Sequence, residues 1–208
     1  MKSIVAALAM ILPLLLGASA ANAQTSPISP EEAEAFVSVL AENALDTLAL
    51  QTISLEDREV KFRRILSDGF ALKYIGLLVL GKHRRTATAE ELEEYQLYFS
   101  EFILKKYSAL LGGYAGETFV VLGSHPSGRR DVLVGSEIRR SGGAPIPTEW
   151  RVRRFHEALK IIDIKVEGIS MVQSQREEFN AILTREGMIG LIAVLRARTG
   201  MLSAEAPS

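Results

Sequence analysis

The sequence predicts an α+β domain, and three observations carry that expectation. Behind clear helix-start signals, apolar residues recur at three- and four-residue steps through the first half of the chain. Between Glu117 and Val166 the period shortens to two, and after Ser170 the helical period returns. Helices, then strands, then helices imply an antiparallel sheet covered on one side by helices.

The first helix starts at Ser29-Pro30-Glu31-Glu32, which supplies an N-cap, a proline at the first helical position and a carboxylate at the third. Phe36, Val37, Leu40, Ala44 and Leu48 then form one apolar stripe, with Glu34, Glu42 and Asp46 off it. Ser54-Leu55-Glu56-Asp57 opens a second helix through Phe62, Ile65 and Leu66. Phe70 to Leu80 is apolar almost throughout and ends at Gly81, as a mostly buried segment would. Thr88-Ala89-Glu90-Glu91 repeats the capping box and starts the longest helix, with Leu92, Tyr95, Phe99, Phe102, Ile103 and Leu110 inward and Gly112-Gly113 as its stop.

Alternation then takes over: Val132, Val134 and Ile138; Trp150 and Val152; Ile162, Ile164 and Val166. Two breakers, His125-Pro126-Ser127-Gly128 and Ser141-Gly142-Gly143-Ala144-Pro145, separate the runs into about four strands of an antiparallel meander. The opposite face would carry Arg139, Glu149, Arg151, Arg153 and Lys165 and be solvated. Ser170-Met171-Val172-Gln173 caps a further helix through Phe179, Ile182 and Leu183, which Gly187 breaks before a last helix with Ile189, Ile192 and Leu195. The tail over 200–208 reads as loose.

At the other end, Met1-Lys2 precedes an apolar run from Ile4 to Leu16 and the small residues Ala21-Asn22-Ala23. That is the pattern of a secretory signal peptide over residues 1–23, cleaved after Ala23. The run of about thirteen residues is short of the roughly twenty that span a bilayer. The expectation is therefore an exported protein with one domain over 24–199, about 185 residues counting its tail.

Composition removes several chemistries. The 24 Lys and Arg nearly balance 25 Asp and Glu, so no net basic field gathers nucleic acid. The absence of cysteine excludes disulfides, thiol catalysis and thiolate metal sites. There is no G-x-S-x-G, no phosphate-cradling G-x-x-x-x-G-K-[ST] and no H-E-x-x-H. No catalytic residue, cofactor or metal is expected. His83, His125 and His156 stand far apart in polar settings, and Asp163, between Ile162 and Ile164, falls on the face opposite those neighbours. The clusters Lys82-His83-Arg84-Arg85, Arg129-Arg130, Arg139-Arg140 and Arg151 with Arg153-Arg154 read first as solvated faces.

The distinctive feature is apolar supply. A sheet with one apolar face, walled by Leu72 to Leu80 and by a helix carrying Tyr95, Tyr98, Phe99, Phe102 and Tyr107, would make either a solid core or a cavity, and periodicity does not separate the two. For a cavity, the wall expected from face and spacing is Leu78, Val79, Tyr98, Phe102, Val132, Val134, Ile138, Trp150, Val152, Ile162, Ile164 and Met171.

Two stretches resemble a known family: Leu80-Gly81-Lys82-His83 followed by the Glu-rich helix ending Phe102-Ile103-Leu104-Lys105-Lys106-Tyr107, and Val166-Glu167-Gly168-Ile169-Ser170-Met171 ahead of Arg176 and Phe179. They are similar to the MlaC family of periplasmic phospholipid-binding proteins, also called toluene-tolerance auxiliary components of an ABC transport system. The resemblance implies a cone-shaped domain like nuclear transport factor 2, with acyl chains held between sheet and helices, so that the twelve wall residues would bind lipid. It also implies shuttling of phospholipid between an outer-membrane lipoprotein complex and an inner-membrane ABC transporter complex, in keeping the outer membrane asymmetric. The alternatives are a carrier of a hopanoid or other apolar molecule, a secreted pocket enzyme using Asp163 or His156 as base, and an interaction module without a pocket.

Overall fold

The computed structural model describes residues 27–50, 52–108, 116–140 and 142–204. The expected signal peptide, Leu110 and the Gly112-Gly113 stop lie outside them. Helices α1 (Pro30–Ala49), α2 (Leu55–Gly69) and α3 (Leu72–Leu80) are followed by a 3₁₀ turn (Gly81–Arg85) and α4 (Ala89–Ser108). Then come β1 (Thr118–Ser127), β2 (Asp131–Arg139), β3 (Ile146–Phe155), β4 (Ala158–Val166), the two-residue β5 (Ile169–Ser170) and α5 (Met171–Ala204). The strands form one antiparallel meander in the order β1-β2-β3-β4-β5. The α+β architecture is as the sequence predicts, with one short strand more than the four expected.

The helix starts are built as the capping residues dictate. Ser29 Oγ accepts the Glu32 N–H at 3.1 Å and Ser54 Oγ accepts that of Asp57 at 3.0 Å. At α4, Thr88 Oγ1 accepts the Glu91 N–H while Glu91 Oε2 accepts the Thr88 N–H, a reciprocal capping box. The cap of α5 has a second layer. Ser170 Oγ accepts the Gln173 N–H at 3.0 Å and donates to Asp163 Oδ2 at 2.6 Å, and Asp163 Oδ1 accepts the Val172 N–H at 3.1 Å. Gly187 (φ 67°, ψ −166°) bends α5 in mid-course, because only glycine enters that region without strain. The helix runs on to Ala204, into the stretch expected to be loose.

Three sequence expectations change in the sheet. His125-Pro126 does not end β1, which continues to Ser127. β1 is an edge strand, where a residue without an N–H costs no ladder bond. A bulge between β3 and β4 pairs Arg151 with Asp163 but Val152 with Ile161, so Ile162 drops out of register and leaves the face of Ile164. The face expected to be solvated holds a buried ion cluster. Asp131, with 2% of its side chain exposed, accepts from Arg153 Nε at 2.5 Å and from Arg151 Nη2 at 2.6 Å. Arg153 also donates to the Tyr74 hydroxyl at 2.5 Å and lies over that ring. Burial pushes the Asp131 carboxyl up, but the hydrogen bonds from Arg153 and Arg151 outweigh it and hold its pKa below the ordinary value.

Packing divides into two half-cores. One lies among α3, α4 and α5, around Val79, Leu80, Tyr95, Phe99, Phe102, Phe179, Leu191 and Leu195. The other lies between the first half of α1 and the sheet, around Ala33, Val37, Val132, Val134, Val152 and Ile161. Phe70 packs against both, and the adjacent Ala71 N–H donates to the Ile161 carbonyl at 3.0 Å.

Two stability predictions follow from these contacts. Asp131 has a depressed native pKa, so its contribution is complete above the unfolded value near 3.9 and is lost as pH falls through the native value. Asp131→Asn should therefore cost about 3 kcal/mol at pH 7, the low end for breaking a buried pair because Arg151 is half-exposed, and much less at pH 3. Urea unfolding at both pH values checks this; equal destabilisation at each would refute it. Asp163→Ala should cost about 1 kcal/mol through the lost α5 cap, and Asp163→Asn less, since one acceptor survives. An unchanged urea midpoint in Asp163→Ala would show that the cap carries no stability.

Candidate functional site

Between the two half-cores the chain encloses a cavity of about 240 Å³. Its wall is assembled from every layer: Leu40, Ala41 and Ala44 of α1; Phe62, Ile65 and Leu66 of α2; Phe70 beyond it; Leu72, Ile75 and Val79 of α3; Phe99, Ile103 and Tyr107 of α4. Trp150 of β3, Asp163, Ile164 and Val166 of β4, and Met171, Val172 and Gln175 of α5 close it. Each helix contributes the stripe that its period dictates. The cavity exists because these stripes converge on a space that none of them fills, and the small Ala41 and Ala44 stand where larger residues would reach across.

Three of the polar groups on the wall are already engaged. Trp150 Nε1 donates to Ser136 Oγ at 2.9 Å, and Ser136 and Thr148, both buried, are bonded to each other at 2.5 Å. Gln175 accepts from Lys106 Nζ at 3.2 Å and donates to Glu178 at 2.9 Å. Asp163 is held by Ser170 and Val172 in the α5 cap. Burial, with the nearby charge of Asp163 second, pushes the Tyr107 hydroxyl above its ordinary pKa and keeps it neutral. The cavity thus presents hydrocarbon and aromatic surface and makes little directional demand on what fills it.

Of the twelve wall residues expected from the sequence, the structure places Val79, Trp150, Ile164 and Met171 on the cavity. Phe102 is buried in the helical half-core, and Val132, Val134 and Val152 in the half-core under α1. Ile138 is partly buried near the end of β2, paired with Phe119 and Ile146. Tyr98 packs on the helical half-core and accepts from Arg196 Nε at 3.1 Å. Leu78 and Ile162 line a separate polar hollow with Tyr74, Arg151, Arg153 and Arg176; the bulge puts Ile162 there. The wall residues that periodicity passed over come mostly from α1 and α2, whose stripes look like any core-facing stripe.

The other candidates lie away from the cavity. His156 is exposed in the β3–β4 turn at φ 52°, and His83 is bonded to Asn180 at 3.0 Å. The Lys82–Arg85, Arg129-Arg130 and Arg139-Arg140 clusters sit on the outer surface, and Arg154 is paired with Glu32 of α1 at 2.5 Å. Among the described residues no group of three or more acidic or histidine side chains is arranged to hold a metal, and no helix is long and apolar enough to cross a membrane.

Comparison with known proteins agrees with this arrangement. The model of the MlaC protein family matches residues 39–197. The intermembrane phospholipid transport system binding protein MlaC of Haemophilus influenzae is 26% identical over 129 residues, 60% of this chain and 60% of that protein. Toluene tolerance protein ttg2D of Pseudomonas putida is 23% identical over 106 residues, 51% of this chain and 49% of that one. The matched stretches therefore span only about half to three-fifths of these relatives' length. The solved structure of the phospholipid-binding protein from Ralstonia solanacearum, in complex with a phospholipid, superposes with a TM-score of 0.72 at 21% identity, covering 82% of this chain and 98% of that one. That likeness establishes the shared fold. With a family match running from the middle of α1 into the second half of α5, the chain belongs to the MlaC family.

Proposed function

We propose that this protein is a periplasmic phospholipid carrier that encloses acyl chains in the cavity between its half-cores and moves lipid between membranes. The observation that carries the reading is the wall itself: aliphatic and aromatic, with the polar groups of Trp150, Asp163 and Gln175 paired within the protein. At about 0.8 kcal/mol per CH₂, a chain of roughly fifteen carbons in water would cost on the order of 12 kcal/mol, so a carrier must enclose nearly all of it. The phosphate stays at the mouth, since no Lys or Arg among the described residues lines the wall, and an unpaired buried phosphate would cost more than the tails could offset. Membership of the MlaC family and the phospholipid carried by the Ralstonia protein support the same reading.

The partners of the proposed cycle are an outer-membrane lipoprotein complex and an inner-membrane ABC transporter complex. Export would be directed by residues 1–23. The engagement of Asp163 in the α5 cap and the exposure of His156 favour a carrier over a pocket enzyme: Asp163 borders the cavity but both its oxygens already accept hydrogen bonds, and His156 stands outside it.

Mass spectrometry of an organic extract of the purified protein should find phospholipid in stoichiometric amount. Ala44→Trp, which grows into the cavity from a half-buried position, should expel that lipid with little change in melting. Val152→Trp, in the core under α1, should instead lose about 1–3 kcal/mol of stability while the folded fraction keeps its lipid. A lipid-free wild-type extract, or equal lipid retention in both variants, would sink the proposal. Intact-mass measurement of exported protein should give a mature N-terminus at Gln24; residues 1–23 still attached would refute the processing.

A further inference from the structure

A second hollow of about 530 Å³ runs along the outside between α1 and α2, and it shares Leu40 and Ile65 with the cavity. Its lining combines apolar Phe36, Val39 and Leu50 with Asn43, Asp46, Thr47, Lys61, Arg64 and Asp68. Val39 is 56% exposed, an apolar side chain on a helix face left open by the described residues. The partition between the two spaces is correspondingly thin. Leu40 and Ile65 are each only partly buried, and Leu40 lies in the gap because Gly69 has no side chain; a Cβ there would stand 2.5 Å from Leu40 Cδ1. Helix α2 itself is lightly anchored, since Gly69 is its only buried residue.

The volumes give this adjacency a consequence. At about 240 Å³ the cavity falls below the roughly 300–1,000 Å³ usual for small-molecule sites, and a lipid with two long chains is a large ligand. The nearest additional apolar space is the outer hollow. Joining the two requires Leu40 and Ile65 to change rotamer or α2 to shift slightly, and leaves α3, α4, α5 and the sheet in place.

We propose that the groove between α1 and α2 is an annex of the cavity, reached between Leu40 and Ile65, in which part of a phospholipid's acyl chains lies. This rests on the carrier reading above and adds a second acyl-chain site to it. It also gives exposed Val39 an occupant.

The test loads the full mature chain from phosphatidylcholine vesicles containing a phosphatidylcholine with a photoactivatable diazirine, at mid-chain in one probe and at the chain terminus in another. After irradiation, peptide mapping locates the adducts. Val39 and Asn43 line only the groove, whereas Ile75 and Phe99 line only the cavity. The expected result is adducts in both sets with at least one probe, with the groove set lost and the cavity set kept in Asn43→Trp, a substitution at an exposed position that fills the groove. Adducts confined to the cavity with both probes would overturn the annex and leave the carrier reading intact. Failure of either probe to bind would overturn the carrier reading itself. Groove adducts unchanged in Asn43→Trp would mean surface labelling and would also overturn the annex.

Discussion

The structure depends on the separation of its two half-cores. Helix α1 is committed to the sheet in its first half, through Ala33 and Val37 against Val132, Val134 and Val152, so its second half is held over empty space. The helical half-core is built around Phe99, whose ring meets those of Tyr95 and Phe179, and does not reach across. Phe70 and the Ala71–Ile161 hydrogen bond fix the distance between them. A ligand that fills the cavity between them adds apolar contacts to the folded state and so stabilises it.

Polar interactions make the void tolerable by stiffening what surrounds it. On the outer sheet face, Asp131 ties β2 to β3 through Arg151 and Arg153, and Arg153 reaches Tyr74 of α3. On the inner face, Ser136 and Thr148 hold the Trp150 indole by its N–H, so its ring is presented to the cavity in one orientation. Helix α1 is pinned at its start by Glu32 to Arg154 and by Glu34 to Ser124. Removing one member of such a network leaves a buried charge or dipole unpaired, which costs more than the bond is worth in water. Helix α2 has weaker ties to the rest. Its polar links among the described residues are Arg63 to Glu101, Arg58 to the Leu48 carbonyl and the Asp68 carbonyl to Lys160.

The elements were legible in the sequence because their signals are local. Ser29, Ser54 and Thr88 each cap the helix that their context announces, and Gly187 bends α5 where a glycine interrupts the period. The bulge was not legible, because one extra residue in β4 leaves no mark on composition, yet it moves Ile162 to the opposite face. The cavity was half legible for a different reason. Periodicity says which face of an element is apolar and is silent on how far away the facing surface lies. Val134 and Ile164 look alike in sequence; one meets the core under α1 and the other also borders the void. The usable hint was the pair Ala41 and Ala44 within the stripe of α1, small residues where a solid core would have used large ones. Asp131 was missed because one carboxylate at the start of a strand is unremarkable until two arginines on the next strand come into register with it.

A carrier needs its cargo to leave as readily as it enters, and the polar bookkeeping of the wall bears on that. In the proposed carrier, Gln175, Trp150 and Asp163 are bonded within the protein and so require no polar partner from the bound lipid. Moving the chain between bilayer and cavity then exchanges one apolar surrounding for another and is close to neutral for the tails. The barrier is set by exposure to water on the way, which falls if an element beside the cavity yields while the sheet holds. Helix α2 turns Phe62, Ile65 and Leu66 to the cavity and has Gly69 as its one fully buried residue.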